Sequence, residues 1–312
     1  MCSSDLLGAG SPSAHGQPLT RTYSIDTAEV TAPALAVSPD EQTLVLSALG
    51  HLYRLPAAGG RAEQLTFGPS YDTDPAFSPD GRSVAFASNR GDGRTNLYVL
   101  SLDGGQPRQL TSEVEAGRPA WSPDGRTIAY ARNVAREDHP YAFLPGFADT
   151  GLRELRTVPA DGGAASAVGR PLNIESVFYL PNGRLAWTAR EIGPGGSMFQ
   201  TTSRSRVEAV GADGAITQLA AVDGEVGRAV LGPGGDGIYF AARGNLQWLP
   251  FAGGAPVSQA PRIQDAGTRV AVAARGRFVF FNDRGRLWRV STQGGTAEPI
   301  PFTATMTVEA WP

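Results

Sequence analysis

Charged side chains that recur along this 312-residue chain are its best candidates for binding chemistry. Four of them stand five residues before a repeated turn: Asp74, Arg118, Arg228 and Arg269. Five more lie at comparable positions: Asp72, Glu115, Glu175, Glu225 and Asp265. An arginine can hold a carboxylate through two parallel hydrogen bonds, and such bonds discriminate strongly when water is excluded. We therefore expect a polar ligand, preferably a peptide end that bears a carboxylate. The alternative is a water-filled channel whose rim residues are polar only because they face solvent, with no ligand bound.

Residues for hydrolytic or cofactor chemistry are sparse. Only three histidines occur, His15, His51 and His139, and no His-x-His pair opens a metal centre. His139 follows two acidic residues, a cluster that a surface turn explains as well as a metal. The nucleophile elbow Gly-x-Ser-x-Gly is absent from the sequence. The glycine-rich segment 232–237 matches a dinucleotide fingerprint, but no helix follows to receive a phosphate. We predict no catalytic residue, no metal and no cofactor.

A sequence repeat indicates which elements carry the charged residues. A Ser-Pro-Asp turn, here called the anchor turn, and its degenerate copies stand 40 to 58 residues apart, at Pro39, Pro79, Pro123, Pro181, Pro233 and Ala274. A second turn, Gly-Gly or Asp-Gly, keeps the same spacing, at Gly60, Gly105, Gly163, Gly214, Gly254 and Gly295. Apolar residues between these turns alternate with period two, which is typical of strands.

Six units of four strands each predict an all-β fold, a six-bladed β-propeller of four-stranded antiparallel blades. A pair of β-sandwiches is the alternative, but sandwiches have no reason to repeat a sequence. In a propeller, the segment that enters each innermost strand lies at one mouth of the central channel. The charged residues above lie in those segments, so we expect them to converge on one rim.

The repeats also resemble a known family. Ser-Pro-Asp-Gly-Arg turns, with Asn-Leu-Tyr and Gly-Gly-x-x-x-x-Leu-Thr between them, are similar to the repeats of TolB-type six-bladed propellers. Residues 20–66 resemble the N-terminal propeller of large exported bacterial proteins that carry a metal-dependent amidohydrolase domain further along. Such relatives tend to have Asp where this chain has Ala36. The resemblance implies a periplasmic or otherwise exported scaffold whose partner is a downstream domain of the same polypeptide, or another protein or peptide. A free-standing TolB-like adaptor is the alternative.

Composition narrows the classes of partner. The net charge is −3, all 27 basic residues are arginine, and the one cysteine is Cys2. A low and nearly balanced charge argues against a nucleic-acid partner. No apolar run approaches the length needed to span a membrane.

Three segments follow from the repeat boundaries. Residues 1–20 are expected to begin with residues translated from a sequencing adapter, followed by a linker. An export signal is therefore expected to be missing from this sequence. Residues 21–303 are expected to form the propeller. Residues 304–312 are expected to start a truncated downstream segment, as a strand without a partner unit.

Two insertions lengthen the third and fourth units, at 133–152 and 191–204. Each is predicted to lie between the second and third strands of its blade. The first contains Tyr141, Phe143 and Phe147, which is too apolar for a solvated loop. It is expected either to fold back over its own blade or to contact a partner.

Overall fold

The computed structural model describes residues 21–30, 34–112, 115–134, 153–169, 173–191, 204–242, 244–260 and 272–310. In these residues twenty-six strands form six sheets, which are the six blades of a β-propeller without helices. The first strands of neighbouring blades contact each other around a closed ring, including blade six against blade one. The predicted fold class is confirmed.

The first three blades keep the strand order of the chain. Blade one contains β2 (Leu35–Val37), β3 (Thr43–Ala48), β4 (His51–Pro56) and β5 (Gly60–Gln64). Blade two contains β6 (Asp72–Phe77), β7 (Ser83–Ser88), β8 (Asn96–Ser101) and β9 (Arg108–Gln109). Blade three contains β10 (Ala116–Trp121), β11 (Thr127–Asn133), β12 (Arg153–Pro159) and β13 (Ser166–Ala167).

The last three blades repeat this pattern. Blade four contains β14 (Ile174–Tyr179), β15 (Leu185–Glu191), β16 (Arg204–Val210) and β17 (Ile216–Asp223). Blade five contains β18 (Ala229–Leu231), β19 (Gly237–Ala242), β20 (Asn245–Pro250) and β21 (Val257–Ala260). Blade six contains β22 (Val272–Arg275), β23 (Phe278–Asp283), β24 (Arg286–Ser291) and β25 (Glu298–Ile300). Both insertions lie between second and third strands, as predicted.

Side-chain hydrogen bonds explain the anchor turn. In blade two, the Ser78 hydroxyl donates to Asp80 Oδ1 at 2.6 Å, and Arg82 N donates to the same oxygen at 3.0 Å. Ser83 N then donates to Ser78 Oγ at 2.9 Å, which starts the second strand. Blades one and three repeat these contacts around Ser38 and Ser122. The sequence repeat is therefore a repeated local hydrogen-bond pattern.

The hydrophobic core is divided into six clusters, each between two neighbouring blades. Successive side chains of a strand point to opposite faces, so Phe86 packs towards blade one while Ala85 packs towards blade three. The aromatic residues of the second strands are buried: Phe86, Tyr130, Trp187, Tyr239 and Phe280. The aromatic residues located two positions before an anchor proline are only half-buried. They are Phe77, Trp121 and Tyr179. Each packs against the margin of a core cluster.

The last strand closes the ring, and the prediction that it has no partner is wrong. β26 (Phe302–Ala310) pairs in parallel with β5 of blade one and antiparallel with β1 (Arg21–Thr27). Blade one thus becomes a six-stranded sheet. Pairing between β1 and β26 ties the two ends of the described chain together at the outer edge of blade one. The division into a downstream segment from residue 304 stays a prediction.

The second turn of the repeat joins the third and fourth strands of each blade. Gly60, Gly105, Gly163, Gly254 and Gly295 all have positive φ. In blade one, Gly59 also has φ 95°, and Gly60 N donates to the Pro301 carbonyl oxygen at 3.0 Å. This turn therefore also supports the closing strand.

Candidate recognition site at the channel mouth

Bulges place two charged side chains at the start of the innermost strands. The pairing of β6 with β7 shifts register between Thr73 and Ala76, and that of β10 with β11 shifts between Gly117 and Ala120. Asp74 and Arg118 lie within these irregularities, with φ 52° and 59°. A bulge re-aims the side chain of its extra residue, and left-handed backbone is uncommon outside glycine. Both side chains line the channel as a result.

An ion pair joins blade five to blade two across the channel. Arg228 Nη1 donates to Asp74 Oδ1, and Arg118 N donates to Asp74 Oδ2 at 3.2 Å. Burial by itself raises the pKa of Asp74, but the charges of Arg228 and Arg118 outweigh it, so the pKa lies below its usual range. The same carboxylate raises the pKa of Arg228. Asp74 is therefore charged at neutral pH, and it neutralises Arg228.

Arg118 continues the network into blade four. Its Nη1 contacts the Glu175 carbonyl oxygen and lies 3.2 Å from Glu175 Oε2. It also lies 2.8 Å from the Ile174 carbonyl oxygen. Burial, followed by the positive charges of Arg153 and Arg228, lowers the pKa of Arg118 to about 10. The Arg118 guanidinium remains protonated at neutral pH, although two other arginines, Arg153 and Arg228, lie near it.

Glu175 links the network to a second arginine. Arg190 Nη2 lies 3.4 Å from Glu175 Oε1 and contacts Glu225 Oε1, at the entry to blade five. The chain of contacts thus runs from blade two through blades three and four to blade five, and the pair of Arg228 with Asp74 returns to blade two. Mixed charges from four blades meet at one mouth.

Two cavities meet at this network. One, of about 120 Å³, is the channel itself, lined by the first strands of blades one to five. The other, of about 290 Å³, opens between blades two and three. Asp74, Arg118 and Arg228 line both cavities, so the ion pair lies where the two cavities meet.

The structure brings together five of the predicted site residues, at the mouth: Asp74, Arg118, Glu175, Glu225 and Arg228. Glu115 is exposed and lines the larger cavity. Asp265 and Arg269 lie outside the described residues, as do His139 and the apolar insertion residues Tyr141, Phe143 and Phe147. Any binding role for these residues stays a prediction.

Asp72 is not on the rim, which corrects its predicted placement. Its side chain is fully buried between blades one and two, where Arg90 Nη2 lies 2.6 Å from Oδ2 and Ser88 Oγ donates to Oδ1 at 2.5 Å. Arg90 in turn lies over the rings of Phe86 and Tyr98, at 5.3 and 5.5 Å. His51 Nδ1 of blade one lies 3.9 Å from Asp72 Oδ2, so Asp72 joins two blades instead of facing the channel.

Sequence reasoning missed two arginines of the site. Arg153 begins β12 directly after the first insertion, and Arg190 lies near the end of β15, just before the second. Hairpins between second and third strands lie at the same end of each blade as the start of its first strand. The signal that identifies both residues is thus a charge at the base of an insertion.

Two further properties bear on function. Within the described ranges, no group of three His, Cys, Asp or Glu side chains could hold a metal ion. In the same ranges, no helix is long and apolar enough to cross a bilayer.

Comparisons with known proteins agree on the fold. Residues 33–175 match the family model of the tricorn protease N-terminal beta propeller domain. The crystal structure of tricorn protease aligns with 88% of this chain and 26% of its own, with TM-score 0.65 and 16% identity. A putative TolB from Agrobacterium tumefaciens aligns with 93% of this chain and 99% of its own, with TM-score 0.50 and 17% identity. TolB from Acinetobacter baumannii aligns with 87% of this chain and 65% of its own, with TM-score 0.53 and 15% identity.

Sequence relatives match only short stretches. The Tol-Pal system protein TolB of Bordetella pertussis is 43% identical over 58 residues, which are 18% of this chain and 13% of that protein. An uncharacterized peptidase, YuxL of Bacillus subtilis, is 48% identical over 46 residues, 15% of this chain and 7% of that protein. The chain thus spans a small part of the curated relatives it matches. It is a six-bladed propeller similar to TolB and to the N-terminal propeller of tricorn protease.

Proposed function

We propose that this propeller is a non-catalytic recognition domain that binds a polar partner segment at the channel mouth. The observation that carries the proposal is the network of mixed charges from four blades beside an open cavity of about 290 Å³. A rigid repeat scaffold commonly places binding residues on its loops and strand ends. Charges of both signs favour a ligand that itself carries polar groups, such as a peptide segment.

The partner is a downstream domain of the same polypeptide, or another protein or peptide. We infer that the chain is the N-terminal part of a larger exported protein of amidohydrolase type. The resemblance of residues 20–66 to such proteins supports this inference. Export follows from the same resemblance and from the likeness to TolB.

A free-standing periplasmic adaptor of the TolB type is the second candidate. The alignment with 99% of the putative TolB of Agrobacterium tumefaciens favours it. Sequencing the genomic DNA past the codon for Pro312 separates the two. An open frame with a His-x-His pair supports the amidohydrolase, and a stop codon supports the adaptor.

Calorimetry tests recognition. The downstream domain, where the frame continues, or a peptide library is titrated into the wild type and into Arg118→Glu and Arg228→Glu variants at moderate salt. We expect weaker binding in both variants, because each reversal removes a cation from the mouth.

A charge-swap variant controls for damage to the network. Asp74→Arg combined with Arg228→Asp retains an ion pair across the channel, and an arginine already occupies the equivalent left-handed position at 118. Unchanged affinity in all variants would mean that the charged rim residues face solvent and do not bind the partner. Attention would then move to the insertion that contains Phe143 and Phe147.

A hydrolysis assay tests the non-catalytic part of the proposal. The purified protein, loaded with zinc or manganese, is expected to hydrolyse no ester, amide or cyclic amide above background. Turnover that survives chelation and disappears on a single substitution would contradict the proposal.

A further inference from the structure

Two arginines share one neutral acceptor at the mouth. Arg118 Nη1 and Arg153 Nη1 each donate to the Ile174 carbonyl oxygen, both at 2.8 Å. One uncharged oxygen thus holds two guanidinium groups close together. Like charges at this separation repel, and an anion that bridges them relieves the repulsion.

The positive charge of this pair is only partly balanced. Glu175 is the carboxylate beside Arg118, and it also pairs with Arg190. Within the described residues, the Arg153 side chain has no carboxylate at ion-pair distance, and its one hydrogen bond is to the Ile174 carbonyl oxygen. Arg228, by contrast, is matched by Asp74. The cationic excess therefore lies at Arg118 and Arg153.

The larger cavity gives access to this pair. Arg118 and Arg153 both line it, together with Tyr71, whose side chain is 52% exposed. The volume of about 290 Å³ is at the lower end for small-ligand sites, which suits a chain end better than a strand that passes through. Asp74 and Arg228 line both this cavity and the channel.

We propose that the Arg118–Arg153 pair binds the α-carboxylate of a peptide C-terminus, with the last side chain apolar and packed against Tyr71. This inference rests on the proposed recognition function and names the ligand class. Arg153 supplies the N–H groups that its bond to Ile174 does not use, and Arg118 supplies its charge. Bidentate hydrogen bonding from a guanidinium to a carboxylate provides the specificity.

Three small probes test the ligand class by calorimetry at low and moderate salt. They are N-acetyl-glycyl-phenylalanine as the free acid, the same compound as its C-terminal amide, and N-acetyl-glutamyl-phenylalanine amide. We expect the free acid to bind at least about tenfold more tightly than either amide, because a charge-assisted pair of hydrogen bonds is lost. Equal affinity of the glutamyl amide would assign the site to side-chain carboxylates and overturn the C-terminal assignment.

Variants locate the site. Arg153→Gln is expected to weaken binding of the free acid by about 10- to 100-fold, and Arg153→Lys by less, because lysine keeps the charge but not the fork. Arg108→Gln is the matched control. Arg108 also donates only to backbone carbonyls, of Ala160 and Asp161, but it lies on the outer strand of blade two, so binding stays unchanged.

The outcomes separate this inference from the proposed function. Where the downstream domain or library peptides bind, but neither amidation nor Arg153→Gln weakens binding, the C-terminal site is wrong and recognition stands. Absence of any binding by the probes, the library and the domain overturns both.

Discussion

Arg228 in blade five and Asp74 in blade two form an ion pair across the central channel, although 154 residues separate them in the chain. The Asp74 carboxylate also accepts a hydrogen bond from Arg118 N in blade three. One side chain thus connects three blades at the point where their first strands begin.

Neutralising Asp74 is expected to destabilise the propeller. Asp74→Asn keeps the size and tolerates the left-handed backbone, but it leaves Arg228 without its counter-charge. We expect a loss of about 1–3 kcal/mol in the free energy of unfolding, less than for a fully buried pair because the Arg228 side chain is 31% exposed. Denaturant unfolding measures the change.

A double-mutant cycle assigns that loss to the pair. Combining Asp74→Asn with Arg228→Gln is expected to cost less than the sum of the single variants. Strict additivity would show that the two side chains do not stabilise each other.

Stability is expected to fall at acid pH through Asp72. Burial by itself raises the pKa of Asp72, but the nearby His51 ring and hydrogen bonds from Arg90 and Ser88 outweigh it and lower the pKa. A lowered pKa in the folded state stabilises above the unfolded value of about 3.9, and this contribution is lost as the pH falls through the folded pKa. Asp72→Asn should therefore lower stability at neutral pH and flatten the acid limb of the stability profile.

Asp223→Asn is the control for this profile, because the Asp223 side chain is 96% exposed. Melting temperatures between about pH 2 and pH 7 provide the measurement. An acid limb equally steep in Asp72→Asn and in the wild type would remove Asp72 as its cause.

The closing strand requires a glycine at position 59. A Cβ atom there would lie 2.3 Å from the Pro301 carbonyl oxygen, which belongs to the segment leading into β26. Gly104, the equivalent residue of blade two, also has positive φ, but a Cβ atom there would have open space. Gly104→Ala is expected to cost about 1 kcal/mol from backbone strain alone, and Gly59→Ala about 1–3 kcal/mol more from the clash.

Thermal melts of both variants test the closure. Equal destabilisation would mean that the Pro301 segment does not pack on blade one.

The blade interface should be sensitive to Phe86. This side chain is fully buried between blades one and two, with its ring centroid 5.9 Å from that of Tyr98. Phe86→Ala is expected to cost about 3–5 kcal/mol by losing transfer energy and leaving a cavity. Phe77→Ala, at a half-buried ring of the same blade, should cost less. A change below about half a kcal/mol for Phe86→Ala would contradict the strand register.

The sequence could predict the number of blades, their strands and their turns because these follow from local chemistry. Ser78, Asp80 and Ser83 form their turn within six residues, and Val84 to Ser88 alternate between two faces whatever lies beyond them. The glycines of the second turn have positive φ for equally local reasons. The shared position of Asp74, Arg118 and Arg228 could also be predicted from the sequence, because a repeated unit places equivalent residues at equivalent points of a ring.

Only the tertiary structure decided which charges meet. In the structure Arg228 pairs with Asp74, and Asp72 is buried between two blades. Arg153 also belongs to the site, although it stands at no fixed distance from an anchor turn. The tertiary structure also joined β26 to β1 and β5, although nothing in the local pattern of residues 302–310 names a partner. The physical reason is that ion pairs and strand pairings depend on distances between segments far apart in the chain, and closure of the ring sets those distances.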